Sequence, residues 1–90
     1  MTGKEMQSAL SAADVRITEA AIIFRVAQTT VRRWYKDETT PKQPVTFEIA
    51  CKMTKLIEKA TQKGVLPVKD VKGKERLVAI RAAIRDAVNY

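Results

Sequence analysis

Positions 28 to 36 read Gln-Thr-Thr-Val-Arg-Arg-Trp-Tyr-Lys. Wound as a helix, this segment puts Gln28, Thr29, Arg32, Arg33 and Lys36 on a polar face and leaves Val31 and Trp34 to the other side. The chemistry of such a face is hydrogen-bond donation backed by positive charge. A guanidinium donates two parallel hydrogen bonds that match a guanine edge, and a glutamine amide pairs in a similar way with adenine. Thr29 and Thr30 can reach a phosphate or a thymine methyl, and Lys36 suits a phosphate oxygen. The same side chains would also make an ordinary solvated surface, so the elements that hold them have to decide between the two readings.

Little other chemistry is available. The chain has no His and a single Cys, Cys51, which removes most metal sites and every His-dependent general base. Without a His partner, Cys51 has little claim as a nucleophile. No catalytic constellation, cofactor motif or small-molecule site is recognisable, so an enzyme is not the expectation. A lone Cys makes no intramolecular disulfide, there is no signal-peptide pattern, and the apolar runs are too short to span a bilayer. A cytoplasmic protein without membrane association is expected.

The balance of charge points to a partner. Seventeen Lys and Arg against ten Asp and Glu give a formal charge of +7 over 90 residues. A surface this basic on a small domain favours a polyanion, nucleic acid above all, although a charge of this size also serves general solubility. At 46% hydrophobic, 30% charged and 6% aromatic, the chain suits one domain over 1–90 with a core of Ala, Ile, Val and Leu. That composition fits packed helices.

The elements follow from periodicity and punctuation. Met6, Leu10, Ala13 and Ile17 recur at helical spacing, which predicts helix 1 over Glu5 to about Val15, with Met1 to Lys4 frayed and a break at Asp14 to Ile17. Thr18 is the predicted N-cap of helix 2, Glu19 to Arg25, with Glu19 at the positive end of its dipole. Val26-Ala27 is the turn, and helix 3 runs from Gln28 to about Lys36. The polar, proline-containing segment Asp37 to Pro44 is a loop. Helix 4 is predicted from Phe47 to about Lys63, with Thr46 as N-cap and Val45 stapled onto Ala50. Its core stripe is Ile49, Met53, Leu56, Ile57 and Ala60, and Gly64 and Pro67 end it. Helix 5 runs from Gly73 or Lys74 to Val88, with Leu77, Ile80, Ile84, Ala87 and Val88 on one face. No convincing strand appears, and the expected fold is all-α with about five helices.

The stretch Ile17 to Lys36 then has the demands of a helix-turn-helix. Ala21 and Ala20 allow close helix crossing, while Phe24, Val26, Val31 and Trp34 lock the pair onto the domain. The segment AAIIFRVAQTTVRRW resembles the helix-turn-helix of phage repressor and Cro-like regulators, and Ile57 to Pro67, IEKATQKGVLP, is similar to the end of the next long helix in some small phage Cro-like proteins. Two positions depart from the family: Arg25 stands where a turn Gly is common, and Ala27 where Ser or Thr would cap helix 3. The resemblance implies that Gln28, Thr29, Arg32 and Arg33 face base edges or phosphates, with Thr30 and Lys36 beside them.

Other residues have simpler readings. Trp34 belongs to the core by its place in the motif, and Tyr35 is expected on the flank of helix 3 with its hydroxyl toward a phosphate. Lys52, Lys55, Lys59 and Lys63 make a solvated face of helix 4, or a general field for phosphates; Lys4 and Lys42 are candidates for backbone contacts. Phe47, Cys51, Thr54 and Glu58 form another side, suited either to a subunit contact or to packing under the preceding loop. Arg76, Arg81 and Arg85 lie beside the apolar stripe of helix 5, which closes the core or forms a dimer interface.

These features together lead to the expectation of a sequence-specific double-stranded DNA-binding transcriptional regulator, a repressor acting as a homodimer on an inverted-repeat operator. The rival is a small phage-type inhibitor or adaptor that binds a host protein through the same fold. A protein binder would carry an aliphatic or aromatic anchor on the open face of helix 3; this chain carries polar and basic residues there.

Overall fold

The computed structural model describes residues 1–36 and 44–88. Five helices follow one another: α1 Gly3–Ala12, α2 Ile17–Phe24, α3 Gln28–Lys36, α4 Pro44–Gln62 and α5 Lys74–Val88. Among the described residues there is no strand. The helix α1 packs on α3 and α4, α2 packs on α3 and α4, and α5 lies along α4. One core joins all five, with Met6, Leu10, Val31, Ile57 and Ile80 at or near zero exposure. The predicted loop Asp37 to Pro44, including Lys42, lies outside the described residues up to position 43, as does the side chain of Val88.

Several helix starts differ from the sequence reading, for reasons that lie in capping. Helix α1 begins at Gly3 rather than Glu5, because Thr2 and Glu5 form a capping box. The Thr2 hydroxyl accepts from the Glu5 amide at 3.1 Å, and the Glu5 carboxylate accepts from the Thr2 amide at 3.0 Å. Residues Met1 to Lys4 are therefore not all frayed, and the helix ends at Ala12 rather than Val15. Helix α2 begins two residues before Glu19, and Arg16 rather than Thr18 is its N-cap. Glu19 reaches back to accept the Arg16 amide at 3.0 Å, which satisfies one of the amides left open at a helix start. Helix α4 begins at Pro44, a residue whose fixed φ and missing N–H suit the first helical position. Thr46 is thus inside the helix instead of capping it, and Val45 is 65% exposed, so it does not staple onto Ala50.

Three helices end in the same way. After α1, α2 and α4 the residue in the left-handed region is Asp14 (φ 54°), Arg25 (φ 58°) and Gly64 (φ 79°). In each case the amide of that residue donates three positions back and the next amide five back: Asp14 to Ser11 and Val15 to Leu10, Arg25 to Ile22 and Val26 to Ala21, Gly64 to Thr61 and Val65 to Ala60. These Schellman pairs satisfy the last carbonyls of each helix. Gly64 occupies its place as the sequence indicated, and Arg25 does hold the strained turn position.

The buried face of α4 is rotated from the expected stripe. Ala50, Thr54, Ile57 and Ala60 are buried, while Ile49 is 52% exposed and Met53 and Leu56 are half-buried. Phe47 turns inward, its ring meeting that of Trp34 edge-on at 5.2 Å between centroids. Thr54 is fully buried and its hydroxyl donates to the Ala50 carbonyl at 2.7 Å, so its polarity is satisfied within the helix. The Phe47–Thr54 side therefore packs locally, and the exposed apolar residues of α4 are Val45 and Ile49.

Candidate nucleic-acid interface

The position of α3 follows from its sequence. At about 100° per residue, Val31, Trp34 and Tyr35 fall within one sector of the helix. All three are buried, at 0%, 6% and 8% exposure. Gln28, Arg32 and Lys36 then climb the opposite side at intervals of four, with Thr29 and Arg33 beside them, and all five are exposed. Thr30 is half-buried at the edge between Arg33 and Trp34. The six predicted residues are thus on one short element, five on its open face and Thr30 at its margin.

Neighbouring elements fix this orientation. Trp34 lies between Phe24 of α2, at 6.5 Å between ring centroids, and Phe47 of α4, at 5.2 Å. Ala20 and Ala21 are buried where α2 meets α3, and their small side chains permit the approach. The Arg25 turn redirects the chain at the end of α2, and Val26 is half-buried against the core. Trp34 is consequently a core residue, and the helix presents its polar side outward.

The open face is cationic. Helix α3 holds no carboxylate, and none of the ion pairs among the described residues involves Arg32, Arg33 or Lys36. Ala27 precedes α3 and carries no side-chain acceptor, so the first amides of this helix lack a side-chain cap from that position. An anion approaching α3 meets several donors and no opposing charge on the helix.

Tyr35 is more buried than a flank position implies. Its ring is buried, and burial pushes the phenol pKa up to about 12, so the hydroxyl keeps its proton. The ring borders an open groove of about 570 Å³ lined also by Lys4 and Gln7 of α1, Ile17 of α2, and Arg32 and Lys36. No spacing in the sequence signals that Lys4 and Gln7 stand beside α3; packing of α1 on α3 brings them there.

Of the three arginines beside the α5 stripe, Arg81 and Arg85 are exposed and Arg76 is buried. Arg76 is 6% exposed and donates to Glu19, to the Asp14 carbonyl at 2.6 Å, and to the Asp14 carboxylate at 3.4 Å. A signal for this was present: Arg76 is four residues before Ile80 and seven before Ala83, on the buried line of α5. It is a structural residue far along the chain from Asp14 and Glu19, the residues it joins.

The remaining chemical candidates stay modest. Burial pushes the Cys51 thiol pKa up, against the thiolate form that a nucleophile needs. Among the described residues no group of three His, Cys, Asp or Glu could hold a metal ion. No helix among them is long and apolar enough to cross a membrane. Lys52, Lys55 and Lys59 are exposed along α4, and Lys63 is exposed just past its end. No protein-family model, curated protein or solved structure matches this chain.

Proposed function

We propose that this chain binds double-stranded DNA in a sequence-specific manner and regulates transcription by occupying an operator, most simply as a repressor. The observation that carries the reading is the unbroken exposed arc of Gln28, Thr29, Arg32, Arg33 and Lys36 on a helix whose other side is buried. A helix with one side buried and an open polar side can enter a major groove, where Arg and Gln discriminate bases. The net charge of +7 supports the approach to a phosphate backbone.

A homodimer on an inverted repeat belongs to the same proposal. Two copies related by a two-fold axis would set their α3 helices about 34 Å apart, on successive major grooves. Val45 and Ile49, one turn apart and exposed on α4, give apolar surface for such a contact. The protein-binding rival is less well supported, because the open face of α3 offers no apolar anchor.

The test is selection of bound sequences from random duplexes, followed by footprinting at moderate salt. Enrichment of a palindromic site is the expected result. Failure to enrich any sequence, with no protection of duplex DNA, overturns the reading.

A further inference from the structure

We propose that the groove between α1 and α3 is a phosphodiester-binding site, where Lys4, Lys36 and the Tyr35 hydroxyl hold the duplex backbone beside the bases that Arg32 contacts. This rests on the reading of α3 as the helix that enters the groove of DNA. It adds a second element, α1, and a neutral donor to a contact that the open face of α3 alone would not contain.

The lining of the groove supports the assignment. Lys4, Arg32 and Lys36 come from two helices and meet around one concavity, and among the described residues no carboxylate lines it. Gathering like charges is unfavourable until an anion enters between them. Lys4 also borders a groove on the α4 side of α1 that Glu5 and Glu58 line, but Glu5 accepts from the Thr2 amide instead of pairing with it. Glu5 therefore neutralises none of the three through an ion pair.

The site is also held in place. Gly3 and Met6 are buried on either side of Lys4, and the capping box fixes the first turn of α1. The Tyr35 ring is buried, yet no buried side-chain oxygen among the described residues lacks a partner, and its hydroxyl makes no hydrogen bond to any of them. In this proposal the hydroxyl faces the groove that the ring lines. Burial keeps it protonated, which suits donation to a phosphate oxygen. An open trough of this kind admits a continuous backbone better than a small enclosed molecule.

The test compares the full chain with Lys4→Ala, Tyr35→Phe and, as a control at an exposed position between α4 and α5, Lys69→Ala. Binding is measured over a range of salt to the selected duplex and to an unrelated one, with helical content checked by circular dichroism. Lys4→Ala is expected to weaken both duplexes by the same factor and to lower the salt slope by about 0.9, the loss of one phosphate contact. Tyr35→Phe is expected to weaken both by about fivefold with the slope unchanged, because a neutral hydroxyl displaces no counterion. Lys69→Ala should leave both quantities as they are. If Lys4→Ala and Tyr35→Phe bind like the parent while Arg32→Ala loses discrimination, the groove assignment falls and the reading of α3 stands. If the parent chain binds neither duplex, both fall together.

Discussion

Arg76 and Glu19, 57 positions apart, share two hydrogen bonds: Nε donates to Oε2 at 3.0 Å and Nη2 to Oε1 at 3.2 Å. The first turn of α5 is thereby tied to the first turn of α2, the helix on which α3 leans. The same guanidinium donates to the Asp14 carbonyl at the end of α1. One side chain thus joins three helix ends, and its planar fork is what allows it to do so. Removing one partner of a buried pair leaves the other charge uncompensated, at a cost of about 3 kcal/mol or more. Arg76→Ala should therefore lower the melting temperature strongly, and Arg76→Lys should recover only part of the loss. Exposed Arg81→Ala serves as the reference; equal melting of Arg76→Ala and Arg81→Ala would remove this role.

Acid should weaken the same link. Burial opposes ionisation of Glu19, but hydrogen bonds from Arg76 and the Arg16 amide, with the charges of both arginines, outweigh it and hold the carboxyl below its ordinary range. A depressed folded-state pKa gives stability that is fully present above the unfolded value, about 4.3, and lost as pH falls through the folded one. Glu19→Gln should be less stable than the parent at neutral pH, with the gap closing on acidification. Denaturant titrations at several pH values measure this; a gap that widens toward acid is the contrary result.

Arg25→Gly should stabilise the protein. Arg25 sits at φ 58° and ψ 46°, where its β-carbon is crowded and glycine is not. The relief of about 1 kcal/mol is partly offset by the greater freedom of glycine in the unfolded chain. A net gain of a few tenths of a kcal/mol in chemical denaturation is expected, with helical content unchanged. A clear loss would mean that the Arg25 side chain contributes more than its backbone costs.

Trp34→Ala tests the anchoring of α3. The ring packs between Phe24 and Phe47, and its loss empties a site shared by α2, α3 and α4. The expected cost is about 3–5 kcal/mol, enough to threaten a domain of this size. Trp34→Phe should retain much of the stability, and thermal melts of the two variants separate packing from any role as an exposed stacking surface.

Arg32→Ala with Arg33→Ala should abolish selective duplex binding while the melt stays close to that of the parent, since both side chains are exposed. Gel-shift titration with the selected and unrelated duplexes checks the first half, and circular dichroism the second. Retained selectivity in a folded double variant would move the reading face elsewhere.

The sequence by itself determined the five-helix order, the extent of α3 and the division of α3 into a core side and a polar side. These are local or periodic properties: a spacing of three and four assigns faces within a helix before any neighbour is known. Helix starts were less legible. Thr2–Glu5 is a readable capping pair, but Arg16 and Pro44 begin helices without the Thr caps that composition suggested. Only the tertiary structure decided which side of α4 is buried, because Ile49 and Ala50 both lie on apolar stretches and the neighbours choose between them. It alone set Arg76 on Glu19, and Lys4 beside Arg32 and Lys36. Contacts between residues dozens of positions apart depend on how whole helices pack, and helical periodicity carries no information about that distance.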